Sequence, residues 1–448
     1  MFLNLELALV INTEAAHTSN LIDIKNQLAT VDFKQLIKAL GKGVKGSRNL
    51  TLVESQQLFA GFACGLVSQV QMASAMMLMR VRGESAEEIA GAAMALKQLV
   101  SPSWQQLKVD IDWPVYAGKR EQLPWLLLAA KLLAQQGHRV LLHGDSLSLA
   151  HRRHVACSVN ALDIKAATTA EKAQSALTSD NIVYVEAHDM LPVLDDCRAL
   201  HQELGLRSLI QMAVRCVNPT NARLSLRSYF HPGLDKQHLA IAKIMANAQP
   251  LSSNGHNNYD LLVATFKGLQ GETEINPRVS TKVSWLNTQG CSNQSHYQKG
   301  VINVGTRLEA FFGAKTGQAD LDSAELMHIW QHGELSGSAS KLENATEIFE
   351  QAMSSVESSL ALVIKLLELT QTVKANNPTI TNCSEIELST DDYVYVQTLW
   401  QQRYQQKCKA KLQVAQMYSL RCTCLESMSI KPARNARPQY QSLINVLL

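Results

Sequence analysis

Apolar positions between Leu50 and Val100 recur at helical spacing, and a hydroxyl residue stands where two of these runs begin. Thr51 is followed three residues later by Glu54, and Ser85 by Glu88, so that a hydroxyl and a carboxylate satisfy the free amide donors of a helix start. From Ser68 to Arg80 the residues Val70, Ala73, Met77 and Val81 share one face, with Gly65 and Gly83 placed as stops. Upstream, VDFKQLIKAL at 31–40 sets Phe33, Leu36, Ile37 and Leu40 on one side and its lysines on the other. The pattern predicts a helical domain over 31–105, preceded by an N-terminal extension at 1–30.

Beyond it the period changes. PWLLLAAKLLAQQ at 124–136 reads as an apolar helix opened by proline and stopped by Gly137. Short apolar runs at 138–143, 181–185, 206–210, 224–230 and 261–266 read as strands, with a helix over 234–248. Strands alternating with helices predict an α/β domain over 106–300 built on a mainly parallel sheet covered on both faces. Polar stretches at 251–258 and 287–300 read as loops. Helical periodicity returns at 323–332, 342–374 and 391–413, giving a helical C-terminal extension over 301–448 that carries a basic tail.

Composition narrows the class. With 448 residues, 46% of them apolar and 18% charged, the chain is long enough for more than one core. No apolar run reaches the roughly 18 residues of a membrane span, and the N-terminus lacks the basic residues of a secretory signal. Nine scattered cysteines suit a reducing compartment, so a cytoplasmic protein without membrane partners is expected. Cys408, Cys422 and Cys424 lack zinc-knuckle spacing and read as free thiols. The net charge of +3 hides local runs: Lys34, Lys38, Lys42, Lys45 and Arg48 before the first capped helix, and eight Lys/Arg against the single Glu426 from Arg403 to Arg437. Two such runs favour a polyanionic partner. His143, His151 and His154 lack supporting ligands at metal spacing and read as surface histidines around Arg152 and Arg153. Met72, Met76, Met77 and Met79 read as helix core or a dimer face.

The order of a Leu-Thr-x-x-Glu start, a Ser-x-x-Gln helix ending in Arg-x-Arg-Gly-Glu-Ser, and Ala-Glu-Glu-Ile-Ala-Gly resembles the helical domain of the anthranilate phosphoribosyltransferase family, glycosyltransferase family 3. The resemblance continues through Leu204-Gly205-Leu206-Arg207-Ser208, Asn218-Pro219 and Tyr229-Phe230-His231-Pro232. It implies a helical domain that also makes a homodimer, and a cleft for a diphosphate and its magnesium. The family's glycine-rich diphosphate turn is here 115–125, keeping Gly118 but carrying Lys119 and Arg120. Its Lys-His-Gly-Asn-Arg segment survives as His143 and Gly144, followed by Asp145. Its magnesium Asp-Glu pair corresponds to Thr273-Glu274, with Glu272 one residue earlier, so weak magnesium binding is implied. No residue is assigned as catalytic.

Substrate motifs damaged inside a surviving frame are similar to a divergent, nucleic-acid-binding branch of the family, which implies sequence-independent DNA or RNA binding. Lys42, Lys45, Arg48, Lys119, Arg120, Arg152 and Arg153 are the candidate phosphate contacts, with Tyr116 and Trp125 as stacking surfaces, although Trp125 also reads as core. The alternative is a transferase moving ribosyl 5-phosphate to an aromatic or nitrogenous acceptor, its pocket built from Gly118, Lys119, Arg120, His143, Gly144 and Arg207. Magnesium belongs to that reading and not to the binding one.

Overall fold

The structure is a computed structural model and describes residues 20–149, 151–248, 261–288, 297–309, 321–372 and 384–403. Chain contacts separate it into a unit spanning Met1–Tyr393 and a second at Val394–Leu448. In the second, the Arg403 guanidinium stacks 3.9 Å from the centre of the Trp400 ring. The basic stretch beyond Arg403 and the thiols at 291, 383, 408, 422 and 424 lie outside the described residues.

Among the described residues the first unit opens with a helical stretch at 20–27, followed by α1 (Phe33–Gly41), α2 (Leu52–Ala63), α3 (Gln69–Arg82) and α4 (Ala86–Leu99). Thr51/Glu54 and Ser85/Glu88 both close as reciprocal capping boxes, and Ser68 with Gln71 makes a third. Glu88 does more than cap. It is fully buried and also accepts from the Leu50 amide at 2.9 Å and the Arg82 guanidinium at 2.7 Å, tying three helices to one carboxylate. Helices α2 and α4 cross closely because Gly91 has no side chain; a Cβ there would stand 2.4 Å from the Leu52 carbonyl. The buried face of α3 is Met72, Ala75, Met76 and Met79, whereas Val70 and Val81 are exposed. The face expected from spacing was therefore the outer one, because methionines fill the core side.

The α/β portion is built from β1 (Ile111–Pro114), α5 (Leu126–Gln135), β2 (Val140–Gly144), α6 (Ala170–Asp180), β3 (Ile182–Glu186), α7 (Val193–Leu204), β4 (Leu224–Tyr229), α8 (Leu234–Ala248), β5 (Leu262–Lys267), β6 (Thr281–Asn287) and β7 (Gln298–Val304). Then follow α9 (Ala324–His332), α10 (Ala345–Thr372) and β8 (Ser384–Glu387). One sheet of eight strands runs in the order β3-β2-β1-β4-β5-β6-β7-β8. β3 through β5 are mutually parallel, β6 is antiparallel to both neighbours, and β8 returns parallel to β7. This is the expected α/β class with a largely parallel sheet. The apolar run at 206–210 is no strand: it leads into a short helix at Ile210–Ala213 that packs toward α4. Past residue 300 the mainly helical extension adds α10 across the sheet and lends it β8.

The strand order reverses direction between β1 and β4, and in open α/β sheets such a switch leaves a crevice at the strand C-termini. Here the helical layer covers it. Lys97 of α4 donates to the Val217 and Asn218 carbonyls at 3.2 and 2.9 Å, and Gln237 of α8 donates to the Glu84 carbonyl at 3.2 Å. Among the described residues no helix is long and apolar enough to cross a membrane.

Candidate substrate cleft

The turn after β1 holds Gly118 at φ +61, a left-handed conformation natural to glycine. A Cβ there would also meet Arg152 Cβ at 2.7 Å. Its amide is the kind of donor that a phosphate-cradling turn offers. That donor is already taken: Gly118 N–H donates to Glu272 Oε2 at 2.8 Å, while the other Glu272 oxygen accepts from the Thr273 amide at 3.1 Å. Burial pushes the Glu272 carboxyl up to about 7, against the pull of those two amides and of Arg215.

Lys119, the next residue, is fully buried and forms an ion pair with Glu274 that is buried equally well. Its ammonium also donates to the Leu123 carbonyl at 2.9 Å. Glu274 in turn accepts from the Leu126 amide at the start of α5 and from Ser355 Oγ of α10, each at 2.9 Å. Ser359 Oγ accepts from the Ile275 amide at 3.0 Å, so α10 clamps the turn that follows β5. On the other side Trp113 Nε1 donates to the Thr273 carbonyl at 2.9 Å. The β1 and β5 turns are thus locked together.

These locks decide the magnesium question. Magnesium keeps several waters and takes its few protein oxygens at strict geometry. Glu272 and Glu274 are both enclosed and engaged by amides, a hydroxyl and an ammonium, so this pair does not fit a hydrated magnesium ion. Among the described residues no group of three or more His, Cys, Asp or Glu converges as a metal site.

Beside the locked turns a cleft of about 560 Å³ opens between α3, α7, α8 and the β1, β4 and β5 ends. Among the described residues six arginines line it: Arg80, Arg120, Arg152, Arg198, Arg207 and Arg215. Arg80 pairs with Glu84 at 3.6 Å and Arg198 with Asp145 at 3.0 Å. Among the described residues the other four have no carboxylate within ion-pair distance. Burial, then the neighbouring Arg120 and Arg207, push the Arg152 guanidinium below its usual range. Burial does the same to Arg215, which donates to the Gln211 carbonyl, lies 5.4 Å from the centre of the Tyr116 ring and keeps an unsatisfied, buried Nε. Crowded cations with spare donors make an anion site. At its rim Phe230 is 50% exposed and meets His231 edge-to-face at 5.1 Å.

Behind Tyr116 lies a buried chain of hydrogen bonds. Its hydroxyl is 2.7 Å from His143 Nδ1, His143 Nε2 is 2.9 Å from Asp112 Oδ1, and Ser225 Oγ donates to Asp112 Oδ2 at 2.7 Å.

Of the residues singled out from sequence, Arg120, Arg152 and Arg207 line the cleft. Lys119 belongs to the core, which removes it from any phosphate groove. Arg153 bonds to the Glu121 and Leu321 carbonyls and exchanges backbone bonds with Lys119. Lys42, Lys45 and Arg48 are exposed in the loop after α1, apart from the cleft lining, and Arg48 is held by Glu54 at 2.6 Å. His143 and His154 are buried, contrary to the surface expectation, because one is enclosed by Asp112 and Tyr116 and the other bonds the Leu149 carbonyl at 2.9 Å. Gly144 ends β2. Trp125 is core, and Tyr116 is 8% exposed and not a free stacking face. Arg80, Arg198 and Arg215 were not recognisable as cleft residues, since 135 positions separate the first from the last and no motif links them.

Comparison with known proteins places this arrangement. Residues 34–99 match the model of the glycosyl transferase family, helical bundle domain. The anthranilate phosphoribosyltransferase of Erwinia tasmaniensis is 29% identical over 189 residues, 42% of this chain and 57% of the relative, so the match spans little more than half of that enzyme's length. The crystal structure of anthranilate phosphoribosyltransferase from Thermus thermophilus superposes at a TM-score of 0.52 with 17% identity, over 83% of this chain and 99% of the other. The Saccharomyces cerevisiae enzyme in complex with phosphoribosyl diphosphate (PRPP) and Mg gives 0.54 with 12% identity, over 83% and 94%. At such identities the solved structures speak for the fold alone. The helical bundle, the switched parallel sheet and these likenesses make the chain similar to the anthranilate phosphoribosyltransferases of glycosyltransferase family 3.

Proposed function

We propose that the protein takes a phosphoribosyl donor in the arginine cleft and transfers ribosyl 5-phosphate to an aromatic or nitrogenous acceptor. One observation carries this: Arg120, Arg152, Arg207 and Arg215 converge without carboxylate partners beside the β1 and β4 ends. A diphosphate leaving group needs its charge neutralised as it departs. With Glu272 in the amide cradle and Glu274 in the core, the arginines supply that charge in place of a metal.

The test is calorimetric titration of the full chain with PRPP, with magnesium and with EDTA, followed by product analysis with aromatic amines. Saturable binding that survives EDTA supports the reading. No binding at millimolar donor ends it.

A second reading, sequence-independent nucleic-acid binding, draws on the same arginines with the exposed Phe230 and His231 beside them, since a phosphodiester and an unstacked base would suit that pair. Fluorescence anisotropy with labelled single-stranded DNA at low and moderate salt separates the two. Steeply salt-dependent binding untouched by PRPP favours the nucleic acid. Homodimerisation through the helical domain and a cytoplasmic setting are part of the proposal.

A further inference from the structure

We propose that Tyr116 is the acid–base residue of this cleft, with His143 behind it as proton acceptor and Asp112 and Ser225 holding the imidazole in place. The inference rests on the transferase reading. Its basis is geometric: Tyr116 is at once a cleft-lining residue and the outer end of the buried chain that runs through His143 to Asp112.

Directions within the chain follow from the chemistry of its members. Asp112 accepts from Ser225 on one oxygen and, as a carboxylate, accepts from His143 Nε2–H on the other. Neutral His143 then presents Nδ1 as an acceptor, and the Tyr116 hydroxyl donates to it. Burial pushes the Tyr116 hydroxyl pKa well up, so phenolate does not accumulate and the tyrosine acts as a conduit. Its ring is fixed from two sides, edge-to-face with His143 at 5.4 Å and under the Arg215 guanidinium. An anion held by Arg215 is thereby placed against the tyrosine. Among the charged and titratable groups facing this chain are Arg215, Asp145, Glu186 and Tyr184 around Tyr116, and Lys97 and Cys216 near Asp112.

In the transfer step the acceptor nitrogen forms its bond to C1 of the ribose while the bond from C1 to the diphosphate oxygen breaks, and the electron pair leaves with the diphosphate. The acceptor nitrogen gives its proton to the Tyr116 oxygen as the Tyr116 proton passes to His143 Nδ1. The resulting imidazolium faces the Asp112 carboxylate. Tyr116 touches the reacting group; His143, Asp112 and Ser225 are positioning residues.

The experiment uses the full chain with PRPP and an aromatic amine, comparing wild type, Tyr116→Phe and His143→Gln. Tyr116→Phe keeps the ring and its packing, and His143→Gln keeps hydrogen-bonding capacity without a proton site. Donor affinity by calorimetry should change by less than about threefold in both, while kcat falls by about 100-fold or more, the usual worth of a positioned acid–base group. A solvent deuterium isotope effect on kcat, expected in wild type for a proton passed through the Tyr116 hydroxyl, should be lost in both variants. Donor binding with kcat and isotope effect unchanged in Tyr116→Phe would overturn the relay and leave the transferase reading standing. Absence of donor binding to wild type overturns both.

Discussion

The Lys119–Glu274 pair offers the sharpest perturbation, because sequence and structure assign these residues opposite fates. Both side chains are wholly enclosed, and Glu274 also caps α5 through the Leu126 amide. Glu274→Gln keeps the size and one acceptor oxygen but leaves the ammonium without a counter-charge in the core. Breaking one partner of a buried pair costs about 3–5 kcal/mol, mostly the expense of the charge left behind. Lys119→Met should cost a comparable amount, since the carboxylate keeps only Leu126 and Ser355 as donors. The double variant Lys119→Met/Glu274→Gln should recover part of the loss, with a coupling of about 2 kcal/mol or more between contacting groups. Urea unfolding followed by the fluorescence of Trp113 and Trp125, buried beside these turns, reads all four proteins. Single variants within about 1 kcal/mol of wild type, or strictly additive losses, would refute the claim that Glu274 is structural. Loss of magnesium affinity without loss of stability would return it to the metal.

Arg215→Ala should weaken donor binding about 10- to 100-fold, the worth of a charge-assisted hydrogen bond of about 1.5–3 kcal/mol, whereas Arg48→Ala should leave it unchanged; calorimetry reads both. Glu272 has its carboxyl raised from 4.5 to about 7, so the folded state favours its neutral form below the unfolded value and loses that advantage as pH rises through the folded one. The stability of Glu272→Gln relative to wild type should therefore improve by about 2–3 kcal/mol between pH 4.5 and pH 8, and a pH-independent difference in urea unfolding would contradict it. Gly91→Val sets a side chain against the Leu52 carbonyl and should cost about 1–3 kcal/mol, seen as earlier thermal unfolding and faster proteolysis of the α2–α4 layer.

What could be read from sequence was whatever is local. The capping boxes at Thr51 and Ser85 lie within three residues and closed as expected, and the change of period after residue 105 marked the passage to strands. What escaped was paired over long separations. Lys119 reads as a phosphate contact until Glu274, 155 positions on, neutralises it. The Gly118 amide reads as a phosphate donor until Glu272 arrives from 154 positions away. The run at 206–210 has strand-like apolarity, but its burial is against α4 and not between strands, so it turns helical. Asp112, inside the short strand β1, carried no signal, because a buried carboxylate becomes informative only once its histidine is placed.

The two glutamates bear on chemistry as well as on stability. A diphosphate turn works when its amides are free and a metal carries the remaining charge. Here a carboxylate from the β5 turn satisfies the amide, and a lysine from the β1 turn satisfies the neighbouring carboxylate, so the two turns close on each other. Negative charge brought into the cleft next to Glu272 would be repelled unless cations outnumber it. Arg120, Arg152, Arg207 and Arg215 provide that excess on the open side, and Arg152 connects the two regions by donating to the Gly118 carbonyl at 3.3 Å. On the proposed reading, charge neutralisation rests on the cleft wall and not on the turns. It follows that Arg152→Ala should damage both, loosening the Gly118 turn and weakening anion binding, whereas Arg207→Ala should weaken binding alone; equal unfolding curves for the two variants would break this link.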